Sequence, residues 1–226
     1  MKKLNVLFLA GVAVFAVACG GNTAKHAETS EAQAVAEKQG DAYQVNLDAS
    51  KVNWKAFHKG GFAPRWGTLN IQSGEIAVAD GNVTGGDFVI DMASLKVDSA
   101  SVTEEDKKYT DLEAHLKNED FFNVTKFPSA EFKITGVADL DSASAAGAIE
   151  GANKTVSGNL TLLDSTLNIS FPAKIVVADG KVSVNAQFTV NRADWGIKFG
   201  TSEADPAEWG ISKDIEIGVA VEAEQK

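Results

Sequence analysis

The run Val182-Ser183-Val184-Asn185-Ala186-Gln187-Phe188-Thr189-Val190 decides the fold class. Apolar and polar residues alternate through all nine positions. Side chains of an extended strand point alternately to its two faces, so this run is a strand with one dry face and one wet face. The dipeptide Asp179-Gly180 just before it is a tight-hairpin signal.

The same period recurs in both directions. Towards the amino terminus, Tyr43, Val45 and Leu47 alternate with polar residues, as do Val52, Trp54 and Ala56. Leu69 and Ile71, then Ile76 and Val78, lead to a second hairpin signal at Asp80-Gly81, and Phe88, Ile90 and Met92 follow. Phe132 and Ile134 begin another face. Val156, Gly158, Leu160 and Leu162, then Leu167, Ile169 and Phe171, continue it. Ile215, Ile217, Val219 and Val221 close the series. The chain is therefore all-β, with about eight strands joined mostly by short turns, and antiparallel with one face in water. Such a sheet either stacks as a sandwich or closes into a barrel, and the pattern alone does not choose.

One segment departs from the period, Tyr109 to Phe132. Leu112 and Leu116 share a helical face at i, i+4. Phe121 and Phe122 end it with two large rings, and Phe127-Pro128 breaks it because proline disfavours helix at the preceding residue. This is a short helix across one end of the sheet, with the two rings either plugging a core or lidding a cavity. The alternating inward positions are Phe, Val, Ile, Leu and Ala without Asp or Glu. They suit a packed core, or a cavity that takes a long apolar ligand.

Composition narrows the function classes. A net charge of −10 with no Lys/Arg-rich run speaks against nucleic acid as a partner. A single cysteine rules out an internal disulfide and makes a cysteine-rich metal site implausible. That cysteine, Cys19, follows Met1-Lys2-Lys3, an apolar Leu4–Val17 stretch and Ala16-Val17-Ala18. Residues 1–18 read as a secretory signal, too short to span a bilayer. The cysteine at the cut resembles a bacterial lipoprotein signal, in which Cys19 receives the lipid, although Ala16 stands where leucine is usual. Residues 19–41 are Ala-, Glu-, Gln-, Ser- and Gly-rich without aromatics and read as a flexible tether, leaving 42–226 as one domain.

Catalytic motifs are absent from the sequence: no phosphate loop, dinucleotide-binding glycines, zinc-protease histidines or serine elbow. His26, His58 and His115 are isolated in sequence. Thr103 with Asp106 fits a helix-capping pattern. In Asn191-Arg192-Ala193-Asp194-Trp195-Gly196-Ile197, Arg192 and Asp194 read as a local ion pair, or Arg192 and Trp195 as contacts to the polar end of a ligand. Lys198–Trp209 reads as a long mobile loop.

The stretch His115–Phe132, HLKNEDFFNVTKFPSAEF, resembles the signature of the YceI-like family of bacterial polyisoprenoid- or lipid-binding proteins. Gly85–Met92, Val156–Leu162 and Phe188–Ile197 support it, so the resemblance spans about Tyr43 to Val221. The turn Leu163–Asn168 departs from the His-Gly-x-Thr-Lys-Pro-like turn of many relatives. The resemblance implies an extended eight-stranded antiparallel β-barrel, lipocalin-like, with a short helical lid and an apolar tunnel.

On that footing the expected function is binding, for sequestration or transport, of a long-chain apolar lipid such as a polyisoprenoid or isoprenoid quinone. No catalysis and no cofactor are expected. Expected tunnel lining is Phe88, Ile90, Phe132, Leu160, Phe171 and Phe188, with Phe121 and Phe122 at the mouth and Arg192 and Trp195 at the ligand's polar end. Expected partners are the lipid and, through Cys19, a membrane of the cell envelope facing periplasm or cell surface. A homodimer is compatible with this reading. The rival expectation is an envelope interaction or scaffold protein whose barrel is solid.

Overall fold

The structure, a computed structural model, describes residues 24–142, 145–206 and 210–226. The expected signal segment, residues 1–18, and Cys19 lie outside the described residues. Ten strands occur in chain order: β1 (Glu28–Glu31), β2 (Asp41–Val45), β3 (Lys51–His58), β4 (Arg65–Ala79), β5 (Asn82–Val97), β6 (Ser129–Asp139), β7 (Lys154–Leu162), β8 (Ser165–Ala178), β9 (Lys181–Asn191) and β10 (Ile211–Gln225). Among the described residues one α-helix, α1 (Tyr109–Lys117), lies between β5 and β6.

The strands close into an eight-stranded antiparallel barrel, which resolves the choice between sandwich and barrel. β2 and β3 share the same two neighbours, β4 and β10, and act as one interrupted strand. Ser50 patches the interruption: its Oγ accepts from the Glu222 amide (3.0 Å) and donates to the Glu222 carbonyl (3.3 Å). From there the order runs through β4, β5, β6, β7, β8 and β9 back to β10. The two hairpin signals hold. Asp80 and Gly81, and Asp179 and Gly180, all have positive φ, as a two-residue turn matching strand twist requires. Leu163, in the turn that departs from the family pattern, also has positive φ (55°), between the paired Leu162 and Ser165.

Residues 24–41 correct the expectation of a free spacer. β8 pairs with β9 only from Ala173↔Ala186 to Ala178↔Lys181, and beyond that the two strands part. Residues 25–31 occupy the seam. The Ala27 amide donates to the Thr189 carbonyl and the Thr189 amide to the Lys25 carbonyl (both 2.9 Å), while β1 pairs with β8 from Glu28↔Ser170 to Glu31↔Leu167. The chain then crosses the outside of the barrel. Gln33 exchanges two hydrogen bonds with the Asn159 side chain (3.0 and 2.7 Å), the Ala36 amide donates to the Ile134 carbonyl (3.0 Å), and Lys38 reaches Asp87 and Glu75. An unpaired strand edge exposes backbone donors and acceptors, and this polar segment satisfies them. It needs no apolar residues because it lies on the wet side, and β1 is exposed throughout.

Asn159 is the buried rivet of this strap, since its Oδ1 also accepts from Asn168 (3.0 Å). Losing it leaves the buried Asn168 amide short of an acceptor, at about 1–3 kcal/mol. Asn159→Ala should therefore lower the unfolding free energy by about that amount in urea titrations. It should also speed hydrogen exchange at the Gln33 amide, and unchanged exchange there would show that the strap is held by other contacts.

Candidate functional site

Inward side chains leave a cavity of ≈ 560 Å³ inside the barrel. Its volume falls in the range of small-molecule sites, which run about 300–1,000 Å³. The body is apolar, with Val83 and Val221 deep in it and Phe132 and Phe188 along its length. The rings touch one another in sequence around the wall. Phe88 meets Phe132 at 6.4 Å between centroids, Phe132 meets Phe171 at 5.9 Å, and Phe171 stacks on Phe188 at 4.0 Å. Gly158 on β7 makes room for one of them. A Cβ there would lie 2.3 Å from Phe132 Cζ and 2.9 Å from the Lys133 carbonyl oxygen.

Of the ten residues expected to meet ligand, nine line this cavity: Phe88, Ile90, Phe132, Leu160, Phe171 and Phe188 in the body, and Phe121, Phe122 and Arg192 towards one end. Trp195 is the exception. It is buried behind the wall, with its indole N–H donating to the Leu160 carbonyl (3.0 Å), so it props the lining without forming it.

Charged and polar lining is confined to the mouth, the end where β3, β5 and β9 finish. His58, Arg65, Asp106, Lys107, Lys108, Asp111 and His115 all lie there. Sequence periodicity missed most of these because they sit on loops and the helix, where no strand pattern applies. The available signal was the turn composition around Gly60-Gly61 and Pro64. α1 covers the mouth as expected, with Leu112 and Leu116 packed against a second apolar cluster that includes Trp54, Met92 and Leu95. Glu113 ties the helix to β5, accepting from Lys96 (3.1 Å) and from the Val97 amide (3.2 Å). The helix begins at Tyr109 without a side-chain cap, so the Thr103/Asp106 capping pattern does not start it.

Arg192 forms no ion pair with Asp194. Asp194 accepts from Asn191 instead, and the Arg192 guanidinium is buried and donates to the carbonyls of Ser212 (3.0 Å), Ile197 (3.0 Å), Phe199 (2.7 Å) and Ile211 (3.5 Å). Burial pushes it down to about 10, still protonated at neutral pH. It also lies 5.6 Å from the Phe121 ring centroid. These bonds hold the part of the 198–210 loop that follows the 3-10 turn Arg192–Trp195. Lys59 holds the same loop through the carbonyls of Ser202 and Asp205, so residues 198–206 are pinned, not loose.

His58 and His115 have separate surroundings. His115 Nε2 lies 3.0 Å from Asp120, and its ring packs edge-on against Phe121 and Phe199. His58 stacks on Phe62 at 5.5 Å, and its Nδ1 is buried with no hydrogen-bond partner among the described residues. Burial first, then the neighbouring Arg65 charge, lowers its pKa and favours the neutral ring. Among the described residues no group of three or more His, Cys, Asp or Glu side chains is placed to hold a metal ion.

A closed antiparallel barrel around an apolar cavity, with a helix and the cavity's charged lining at one end, defines a class of small-molecule binding barrels. The model of the YceI-like domain matches residues 43–223, and the chain belongs to the YceI-like family. A UPF0312 protein of Pectobacterium atrosepticum is 26% identical over 168 residues, covering 72% of this chain and 74% of the relative. The protein YceI of Salmonella arizonae is 26% identical over 151 residues, covering 62% and 70%. Among solved structures, Burkholderia cenocepacia BcnA aligns with a TM-score of 0.57 at 16% identity, covering 79% of this chain and 98% of that one. A structure described as a polyisoprenoid binding domain from Saccharophagus degradans, implicated in plant cell wall breakdown, aligns at 0.54 and 17% identity, covering 82% and 99%. At these identities the structures establish a shared fold.

Glu104 braces the mouth by bonding both Lys107 (3.1 Å) and Arg65. The Lys107 hydrogen bond leads the causes that bring its carboxyl down to about 2 from 4.5, against the opposing pull of burial. A depressed carboxylate contributes stability that is present above its ordinary value and lost as pH falls through the folded one. Unfolding free energy should therefore fall between pH 4.5 and 2. Glu104→Gln should lower stability at pH 7 and flatten that acid limb in denaturant titrations. An acid limb of unchanged slope would remove Glu104 from the brace.

Proposed function

We propose that this protein binds one long apolar molecule, of the polyisoprenoid or isoprenoid-quinone kind, inside the barrel, and sequesters or carries it in the cell envelope while Cys19 holds the protein to a membrane. The observation that carries the reading is the shape and chemistry of the void: a body lined by aliphatic and aromatic groups, with every ionisable lining group at one end. An apolar chain gains about 0.8 kcal/mol for each methylene removed from water, less the cost of immobilising it. Burial of that kind is non-directional, so the lining selects for length and greasiness, and the mouth orients the polar head.

Arg192 supports that orientation. Its guanidinium already serves four carbonyls, so it acts as a fixed positive charge beside the cavity that favours a head group with oxygen acceptors. A charge-free, apolar body gives acid–base or nucleophilic chemistry nothing to work with, which supports binding over catalysis. The solid-barrel scaffold reading loses its structural basis, because the centre is hollow. The polyisoprenoid description of the Saccharophagus degradans domain agrees with the proposed ligand class.

Native mass spectrometry of protein purified from its own envelope tests the proposal. The expected spectrum carries an extra mass of several hundred daltons, about the scale of a large lipid. Phe188→Asp, which sets a carboxylate into the lining, should remove that mass while circular dichroism still reports the folded barrel. Wild-type protein without any adduct, and refusing an added long-chain isoprenoid alcohol, would overturn the proposal.

A further inference from the structure

Five large apolar side chains are exposed among the described residues: Val35, Leu47, Phe62, Tyr109 and Phe199. Val35 lies on the outer strap and Leu47 in the break between β2 and β3. The other three are aromatic, and all belong to the mouth. Phe62 stacks on the lining residue His58, Tyr109 opens α1 between the lining residues Lys108 and Asp111, and Phe199 packs on the lining residues His115 and Phe121. At the opposite end the hairpins turn on Asp80-Gly81 and Asp179-Gly180, and none of the five exposed apolar residues lies there. We infer that the rim carrying Phe62, Tyr109 and Phe199 docks on the interfacial layer of a phospholipid bilayer, mouth down, so that ligand passes between bilayer and barrel without crossing water.

Aromatic rings are favoured at that layer, where an apolar body meets a polar edge. Rim charge is mixed, with Lys107 and Lys108 beside Glu105 and Asp106, and the whole chain carries −10. Attraction to anionic lipid is therefore not the driving force, and zwitterionic phosphatidylcholine suffices.

The amino-terminal end of the described residues supports a bilayer as the occupant. It ends at Ala24, whose carbonyl accepts from Thr189 Oγ1 (3.3 Å), three residues before Arg192 at the mouth end of β9. Five residues of chain reach at most about 17 Å, so a lipid on Cys19 can lie level with the mouth. The far end of β9, at Lys181, is eight residues away, about 26 Å along the strand, or about 20 Å along the barrel axis after the usual strand tilt. The anchor therefore keeps the barrel beside a bilayer, and the aromatic rim selects which end faces it. This part rests on Cys19 carrying the anchor.

The test uses the protein as matured in its envelope, reconstituted into phosphatidylcholine vesicles with brominated acyl chains. An environment-sensitive fluorophore is placed on Thr110→Cys beside Tyr109, or on Lys181→Cys at the opposite end. Cys19 carries its lipid through the sulfur and takes no dye, so the introduced cysteine alone is labelled. Quenching at position 110 should exceed that at 181 by roughly three-fold or more, and replacing Phe62, Tyr109 and Phe199 together by serine should cut it by about half or more. Equal quenching at both positions, greater quenching at 181, or none at either overturns the inference. The last result would be expected of a rim built for a protein partner. Uptake of a soluble apolar dye is read separately. Quenching without uptake would sink lipid carriage and leave docking standing, and uptake without quenching would do the reverse.

Discussion

Where β8 and β9 part, the rings of Phe171 and Phe188 stack 4.0 Å apart on the cavity side, and residues 25–31 hydrogen-bond to both strands along the seam. An open seam would leave two edges with unpaired backbone groups, a template for another chain. Closing it fixes the circumference at eight strands, and a ring of that size can be filled by side chains or can hold one small guest. In this protein the inward rings lie along the wall and leave the centre hollow. The void follows from closure combined with where β6 and β7 put their bulk: Phe132 lies over Gly158, which has no side chain to push it inward.

The two ends of the barrel differ because their connections differ. At the far end two connections are tight Asp-Gly hairpins, and the longer one between β6 and β7 is bonded back onto β8 by Asn153, which donates to the Ala173 and Ile175 carbonyls. The mouth receives the long 98–128 and 192–210 connections, and with them α1, the Arg65–Glu104–Lys107 brace and the buried Arg192 guanidinium. Carbonyl groups compensate the arginine charge, so it stays protonated in a largely dry setting and stiffens the loop after β9. On the proposed reading that asymmetry gives a guest one direction of travel and one end for its polar group.

Much of this was legible in the sequence, for a reason that also sets the limit. Period-two alternation reports which face of a strand is dry, so Phe88, Ile90, Phe132, Leu160, Phe171 and Phe188 could be assigned inward from pattern alone. Closure and hollowness depend on strand count, register and ring packing, which alternation does not encode, and only the family resemblance pointed to them. The strap at 24–41 was illegible because composition reports apolar burial, whereas this segment is held by backbone hydrogen bonds on the wet side. Arg192 beside Asp194 looked like a surface pair in one dimension. The fold instead turns the guanidinium inward to carbonyls of residues 197, 199, 211 and 212. Trp195 was misplaced for a similar reason, since a 3-10 turn has no strand parity to read.

The most direct test of the central claim is a crystal structure of the protein purified from its native cells without added lipid. The account predicts continuous, unbranched or regularly branched electron density along the barrel axis, passing Phe171 and Phe188 and ending in a polar group near Arg192. A centre closed off by the protein's own Phe88, Phe132 and Phe188 side chains, with no room for a guest, would contradict it.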